Sequence, residues 1–259
     1  MSELKGLLDA LAARAYGRAV MITLVRLEGS GYRKPGARMI VADDGWSCGS
    51  VSGGCIENLL REHARRVMPC DTAELVEIDT TSDADVLFGS GLGCPGKLQF
   101  RLEPFARGAF DEVRDALAAR KTVMNIEPPI ALHIFGWGND VAPMVALAAA
   151  MQWETTVYGK HSVPRELQLD PRSAAVLMTH NYFVDLDWLG HLLRTDAAYI
   201  AVIGSRKRME MMRAMTGDDA RLRGPAGLDI GSETPAEIAL SVLAEITAVF
   251  ARRPALVLT

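Results

Sequence analysis

Aromatic residues are scarce in this 259-residue chain, at 6%, and only four cysteines are present. No C-x-x-C pair occurs among Cys48, Cys55, Cys70 and Cys94, which excludes both a dense disulfide framework and a zinc-type spacing. Free thiols in a reducing compartment are the expectation, and with them a cytoplasmic location. An excess of one charge is also lacking: 28 lysines and arginines stand against 32 aspartates and glutamates, for a formal charge of −4. A chain-wide footprint for DNA or RNA is thereby excluded, and no nucleic-acid partner is expected. Long hydrophobic runs are missing too. Val141–Met151 is among the longest and falls short of the roughly 18 apolar residues of a membrane span, so no membrane association is expected. The polar start Met1–Lys5 leads into an amphipathic pattern and does not have the form of a targeting segment. No hydrolase triad emerges.

What the chain does have is 49% hydrophobic residues, 23 glycines and two regions of different period. In the first, Leu4, Leu7, Leu8 and Leu11 recur at helical spacing, and Ala19–Leu27, Ala37–Ala42, Trp46–Val51, Glu74–Asp79 and Lys97–Glu103 read as strands. A helix is expected over Ile56–Met68. Three glycine-rich loops interrupt these elements: Glu28–Gly36, Ser52–Cys55 and Gly89–Gly96. After a helix over Phe110–Lys121 the Pro128-Pro129 pair breaks the pattern. From Ile130 on, strands and helices alternate, and strands such as ALHIF and AYIAVI are apolar throughout, as when helices cover both sheet faces. The fold class is α/β, with a smaller α+β domain at residues 1–125 and a Rossmann-like doubly wound parallel sheet at 126–259.

Gly136-Trp137-Gly138 lies between a strand and a helix, where a dinucleotide fold places its phosphate turn. The third glycine position holds Val141, and the second strand ends in Tyr158-Gly159-Lys160, without the acidic residue that would hold a ribose. Either the turn binds a nucleotide or it is only a turn. A second anion turn is Gly204-Ser205-Arg206, ahead of Lys207 and Arg208. His180 ends a strand at the same sheet edge and could bind a ligand or relay a proton. Asp185 and Asp187 read as capping residues of a helix over Trp188–Leu193. Gly91–Lys97 has Walker A spacing but is rejected: Leu98 stands where Ser or Thr would hold magnesium, and a strand follows in place of a helix. Cys55 follows Ser52-Gly53-Gly54 at a helix start, a position that favours thiolate, and Cys94 also lies among glycines. Cys48 and Cys70 read as structural. The last helix, from its Thr234-Pro235-Ala236-Glu237 capping box to Phe250, is apolar on two faces (Ile238, Val242, Ile246 and Leu240, Leu243, Phe250).

In order along the chain, GYRKPGARM, GSVSGGCIE, the Gly91–Gly96 loop, IFGWGNDVAP, MTHNYFVDLDWLGHLL, AAYIAVIGSRKR and RGPAGLDIGSETPAEIALSVLAEI resemble the XdhC/CoxI family of accessory factors for xanthine and carbon monoxide dehydrogenases. The resemblance implies a factor that binds molybdenum cofactor (molybdopterin), assists its sulfuration and inserts it into a molybdenum hydroxylase of the xanthine dehydrogenase type. Such a protein is a carrier and chaperone more than an enzyme. Cys55 then becomes the candidate contact to molybdenum or its sulfur, with Cys94, Gly53, Gly54 and Arg33 beside it. Gly136, Gly138, Gly204, Ser205 and Arg206 would hold the phosphate or nucleotide end, and His180 is a further cofactor-binding candidate. A cysteine desulfurase and a second copy of the chain are further expected partners. The alternative is an NAD(P)-dependent oxidoreductase using the Rossmann-like half.

Overall fold

The structure, a computed structural model, describes residues 3–54, 56–80, 96–123, 126–162 and 167–252. The chain divides into two units, Met1–Pro128 and Pro129–Thr259.

The N-terminal unit contains α1 (Glu3–Ala12), β1 (Arg18–Gly29), β2 (Arg38–Ala42), β3 (Ser47–Gly49), α2 (Glu57–Val67), β4 (Glu74–Asp79), β5 (Gly96–Ala106) and α3 (Asp111–Ala118). Its sheet has the order β3-β2-β1-β5-β4, and every neighbouring pair is antiparallel. Both faces are covered. Val20, Ile22 and Leu24 point to one side, with Met39, Val41 and Phe100, and pack on Leu60, Ala64 and Val67 of α2. Ala19, Met21, Ile40 and Phe105 point to the other and meet Leu4, Leu7, Leu8 and Leu11 of α1 and Leu117 of α3. Successive side chains of a strand alternate between faces, so a strand sandwiched between helices reads as an unbroken apolar run.

This topology brings one end of all five strands together. β1 ends at Gly29, opposite Gly96 where β5 begins, and Asp79 at the end of β4 pairs with Lys97. Arg38 opens β2, and Met39 pairs with Gly49 at the end of β3. The Gly29–Gly36 and Ser50–Gly54 segments therefore leave the sheet at the same end, where Thr80 and Gly96 also lie.

The C-terminal unit alternates β6 (Ala131–Phe135), α4 (Val141–Ala150), β7 (Glu154–Tyr158), β8 (Ser173–Leu177), α5 (Tyr182–Leu192), β9 (Tyr199–Val202), α6 (Arg206–Thr216), β10 (Leu222–Arg223) and α7 (Pro235–Phe250). The order is β7-β6-β8-β9-β10, wholly parallel. Leu132, Ile134, Val176, Tyr199 and Ala201 face Met144 and Ala148 of α4 and Val242, Leu243 and Ile246 of α7. Phe135, Leu177, Ile200 and Val202 face Trp188, Leu189 and Leu192 of α5 and Met209 and Met212 of α6. This is the doubly wound parallel sheet that the apolar strands imply, and the N-terminal unit is the α+β part.

Three details depart from the sequence reading. α5 begins at Tyr182, well ahead of Trp188, because Asn181 accepts from the Phe183 and Val184 amides and caps it there. Asp185 is therefore no cap: it lies inside the helix, fully buried. α7 buries one broad face, and Leu240, assigned to a second apolar face, is 52% exposed.

Candidate functional site

In the N-terminal unit the loop between β3 and α2 is organised by one carboxylate. Glu57, the first residue of α2, is only 4% exposed. Its Oε1 accepts from Ser50 Oγ at 2.8 Å, Val51 N at 3.3 Å and Ser52 N at 3.0 Å, and its Oε2 accepts from Gly54 N at 2.9 Å and from Ser52 Oγ. Burial pushes the Glu57 pKa up. The Ser52 and Ser50 hydroxyls and the Ser52 amide outweigh it and bring the value down to about 2. The loop wraps its amides inward around this charge. Ser50 and Ser52 are each used twice, since Ser50 Oγ also accepts from Gly53 N and Ser52 Oγ from Ile56 N.

Gly53 and Gly54 both have positive φ, at 84° and 117°. A Cβ on Gly53 would lie 2.7 Å from Cδ1 of Tyr32, whose side chain in the first glycine loop rests against Gly53. At Gly54 a Cβ would meet no atom within 4 Å, so the chain is open to solvent immediately before residue 55. Arg33 turns away to Glu3, pairing at 2.5 Å, while Lys34 stays exposed. Cys55 and Cys94 lie outside the described residues. Cys48 packs, partly buried, against the α1 side of the sheet, and Cys70 is exposed. Among the described residues no cluster of His, Cys, Asp and Glu could hold a metal ion.

In the C-terminal unit the expected turns fall at the carboxyl edge of the parallel sheet. Gly136 follows β6 and is buried: a Cβ there would strike Met178 Cγ at 2.7 Å and Met178 O at 2.8 Å. Across the edge, His180 Nε2–H donates to Asp140 Oδ2 at 2.7 Å, and a Cβ on Gly138 would sit 2.5 Å from Asp140 Oδ1. Gly136, Gly138 and His180 are thus brought together, with an aspartate that the sequence reading overlooked. His180 has a φ of 57°, in the left-handed region. Its neighbours fix it: Thr179 donates from N and Oγ1 to Asp185, and Asn181 caps α5.

The second turn, Gly204-Ser205-Arg206, ends β9. Ser205 caps α6 by accepting from Arg208 N, and Arg206 and Lys207 are exposed. Arg208 instead turns inward and pairs with Asp185 at 2.5 Å, so only two of the three consecutive cations face solvent. Burial raises the Asp185 pKa, opposed by the Thr179 hydroxyl and the Arg208 guanidinium. At the end of β7, where an acidic residue would meet a ribose, the Tyr158 ring lies flat on Phe135 at 4.5 Å and 5°, with its hydroxyl 3.1 Å from His133 Nδ1. The signals for the missed residues were present in sequence: an acid opening a helix just after Ser-x-Ser-Gly-Gly, and an acid just ahead of a helix in a glycine turn.

Two family profiles match the chain, the XdhC and CoxI family over residues 12–79 and the XdhC Rossmann domain over 132–246, which together take in more than two thirds of it. The chain is 27% identical to a Bacillus subtilis protein named as a probable xanthine dehydrogenase subunit, over 95% of its own length and 97% of the relative's. It is 24% identical to the molybdenum cofactor insertion chaperone PaoD of Escherichia coli, over 89% and 83% respectively. Among solved structures, a Bacillus halodurans protein described as a xanthine dehydrogenase matches with a TM-score of 0.85 and 28% identity, covering 98% of this chain and 97% of that one. With the antiparallel glycine-loop unit and the Rossmann-type unit both accounted for, this chain belongs to the XdhC and CoxI family.

Proposed function

We propose that this protein is an accessory factor that binds molybdenum cofactor, assists its sulfuration and inserts it into a molybdenum hydroxylase of the xanthine dehydrogenase type. The observation that carries the reading is the Ser50–Gly54 loop. Its inward amides are already satisfied by Glu57, and it opens to solvent at Gly54, just before a thiol-bearing position. A loop fixed before its ligand arrives loses little entropy on binding. Its relationship to an insertion chaperone points the same way.

The residues present suit such a ligand. A thiolate at Cys55, and another at Cys94, are soft donors matched to molybdenum or to its sulfur. Gly53 and Gly54 keep the loop free of side chains beside that position. Lys34 offers an exposed cation for an anionic group, while Arg33 reaches one only by giving up Glu3. The C-terminal unit, taken by itself, has Arg206 and Lys207 at the capped start of α6, where a phosphate would be favoured. When bound, the cofactor supplies the molybdenum centre and dithiolene on which the target enzyme depends. The chain's own part is to hold, orient and shield. A cysteine desulfurase as sulfur source, and self-association, belong to this reading as expected partners.

The test is purification after co-expression with the cofactor's synthesis genes. Molybdenum and pterin fluorescence should comigrate with the protein in near-equal amounts, and Cys55→Ala should lower both at least tenfold. Absence of both from the wild-type protein would overturn the proposal. An NAD(P)-dependent oxidoreductase is disfavoured by Asp140 at the phosphate turn and by Tyr158 at the ribose position. Calorimetry should accordingly detect no NADH or NADPH binding at millimolar ligand.

A further inference from the structure

The helix α6 buries Met209 and Met212 and turns a mixed face to solvent. Arg206, Glu210 and Arg213, spaced i, i+4 and i+7, line one flank of that face, and Met211 and Met215 line the other, with the exposed Ala214 on the crown between them. The two outer methionines are 50% and 67% exposed. Their patch continues onto α5. Tyr182 Oη donates to Met215 Sδ at 3.4 Å, and the Tyr182 ring meets that of Phe183, itself 78% exposed, edge to face at 5.5 Å. Large apolar side chains grouped in water and rimmed by charge mark an interaction surface. We infer that this face of α6 docks an amphipathic helix of another protein, one whose apolar stripe is edged by acidic residues.

Charge selects the partner. Beside the charged flank a cleft of about 230 Å3 lies between α6 and the Gly224-Pro225 turn, with Arg206, Glu210 and Arg213 around it. Met209, 4% exposed, closes its floor, and a Cβ on Gly224 would come 2.5 Å from Met209 Cγ, so glycine is what lets the turn lie this close. Pockets for small molecules run to about 300–1,000 Å3, so a cleft of this size suits one or two side chains of a partner. Among the described residues Arg206, Lys207 and Glu210 have no ion-pair partner, and Arg213 meets Asp218 only at 3.9 Å. Three cations thus face solvent with one carboxylate, in a chain whose overall charge is −4. A second copy would set like-charged faces against each other, whereas acidic residues beside an apolar stripe bring carboxylates to the two guanidiniums, which bind them bidentately. Glu210, set between the arginines, repels the phosphates of a lipid surface or a nucleic acid and accepts a basic residue one turn from each acid. The small Ala214 lets a helix axis approach closely, and the flexible methionines mould to its apolar stripe. This is the helix-in-groove mode of recognition.

Fluorescence anisotropy of the full chain with labelled peptides of about 18 residues, long enough to hold a helix, tests the inference. One peptide carries a leucine stripe at i, i+3, i+4 and i+7 edged by glutamates with a single lysine; the other has its glutamates and lysine exchanged. The acidic peptide should bind at least tenfold more tightly than the basic one. Arg213→Glu should weaken the acidic peptide at least fivefold, while Arg65→Glu, at an exposed position of α2, leaves it unchanged. Met211→Ala combined with Met215→Ala should weaken both peptides several-fold with the thermal melt unchanged, since both side chains are exposed. Cys55→Ala should leave every value as in the wild type, so this surface and the cofactor reading can fail separately. Equal binding of the two peptides, an equal loss from Arg65→Glu, or full binding by the double methionine variant would each overturn the inference. So would phosphatidylglycerol vesicles that displace the acidic peptide, which would give the face to a membrane, or a dimer in sedimentation that Arg213→Glu dissociates, which would give it to a second copy.

Discussion

Glu57 combines near-complete burial with a pKa held down to about 2, and the two are reconciled by five donors that converge on its oxygens. A carboxylate whose folded pKa lies below its ordinary 4.5 stabilises the fold at pH values above that figure, and the contribution is lost as pH falls from 4.5 toward 2. The shift corresponds to about 3 kcal/mol. Glu57→Gln should therefore unfold at lower denaturant concentration at pH 7, with a deficit of about 2–4 kcal/mol. Chemical denaturation repeated down the pH scale should show wild type and variant converging below pH 4.5. A constant deficit would mean that the charge is not what organises the loop. Gly53 offers a second check. Alanine there meets the Tyr32 ring and takes on a strained positive φ, so under the proposed function Gly53→Ala should reduce cofactor retention while Gly45→Ala, at a remote turn with open space, costs only its backbone strain.

At the scale of the element, a few caps and clamps set the carboxyl edge of the parallel sheet. Asn181 starts α5 and thereby fixes the neighbouring His180 in its left-handed conformation. Asn181→Ala should lower stability by about 1 kcal/mol, measured by denaturant melts, and should broaden the His180 imidazole resonances. A comparable clamp holds the Gly224–Gly231 loop. Glu245 Oε2 accepts from Tyr199 Oη at 2.6 Å and from Gly227 N at 2.8 Å, and Ser241 Oγ donates to Leu228 O at 2.6 Å. Burial, with the Glu245 charge beside it, holds the Tyr199 phenol well above its ordinary pKa, so it stays a donor. Glu245→Gln should cost about 1–3 kcal/mol and speed hydrogen exchange at the Gly227 amide. The GLDIGSETPAEIALS stretch, distinctive in sequence, is thus a loop and the helix that anchors it.

Across the whole molecule, two units each carry their own core on both faces of their own sheet. Leu132, fully buried in β6, should on replacement by Ala destabilise the C-terminal unit by about 2–5 kcal/mol. Hydrogen exchange should then show lost protection in β6, β8 and β9, with β1 and β5 amides at their wild-type rates. Among the described residues no helix is long and apolar enough to cross a membrane.

By itself the sequence determined the periodicities and their breaks. Apolar runs bounded by glycine and proline marked nearly every strand, and the capping box at Thr234 marked the start of α7, because propensity, alternation and turn chemistry act between near neighbours. The glycine loops at Glu28–Gly36 and Ser52–Gly54 were legible for the same reason, while the Gly89–Pro95 part of the third lies outside the described residues. Which charges meet was not. Asp185 looked like a cap and is a buried partner of Arg208; Arg33 looked like an anion ligand and pairs with Glu3; Asp140 passed unnoticed and joins His180 across the sheet edge. Those pairings are 23, 30 and 40 residues apart in the chain. Only the strand order brings such residues within hydrogen-bond reach, and electrostatic partnership depends on distance in space, not on spacing in sequence.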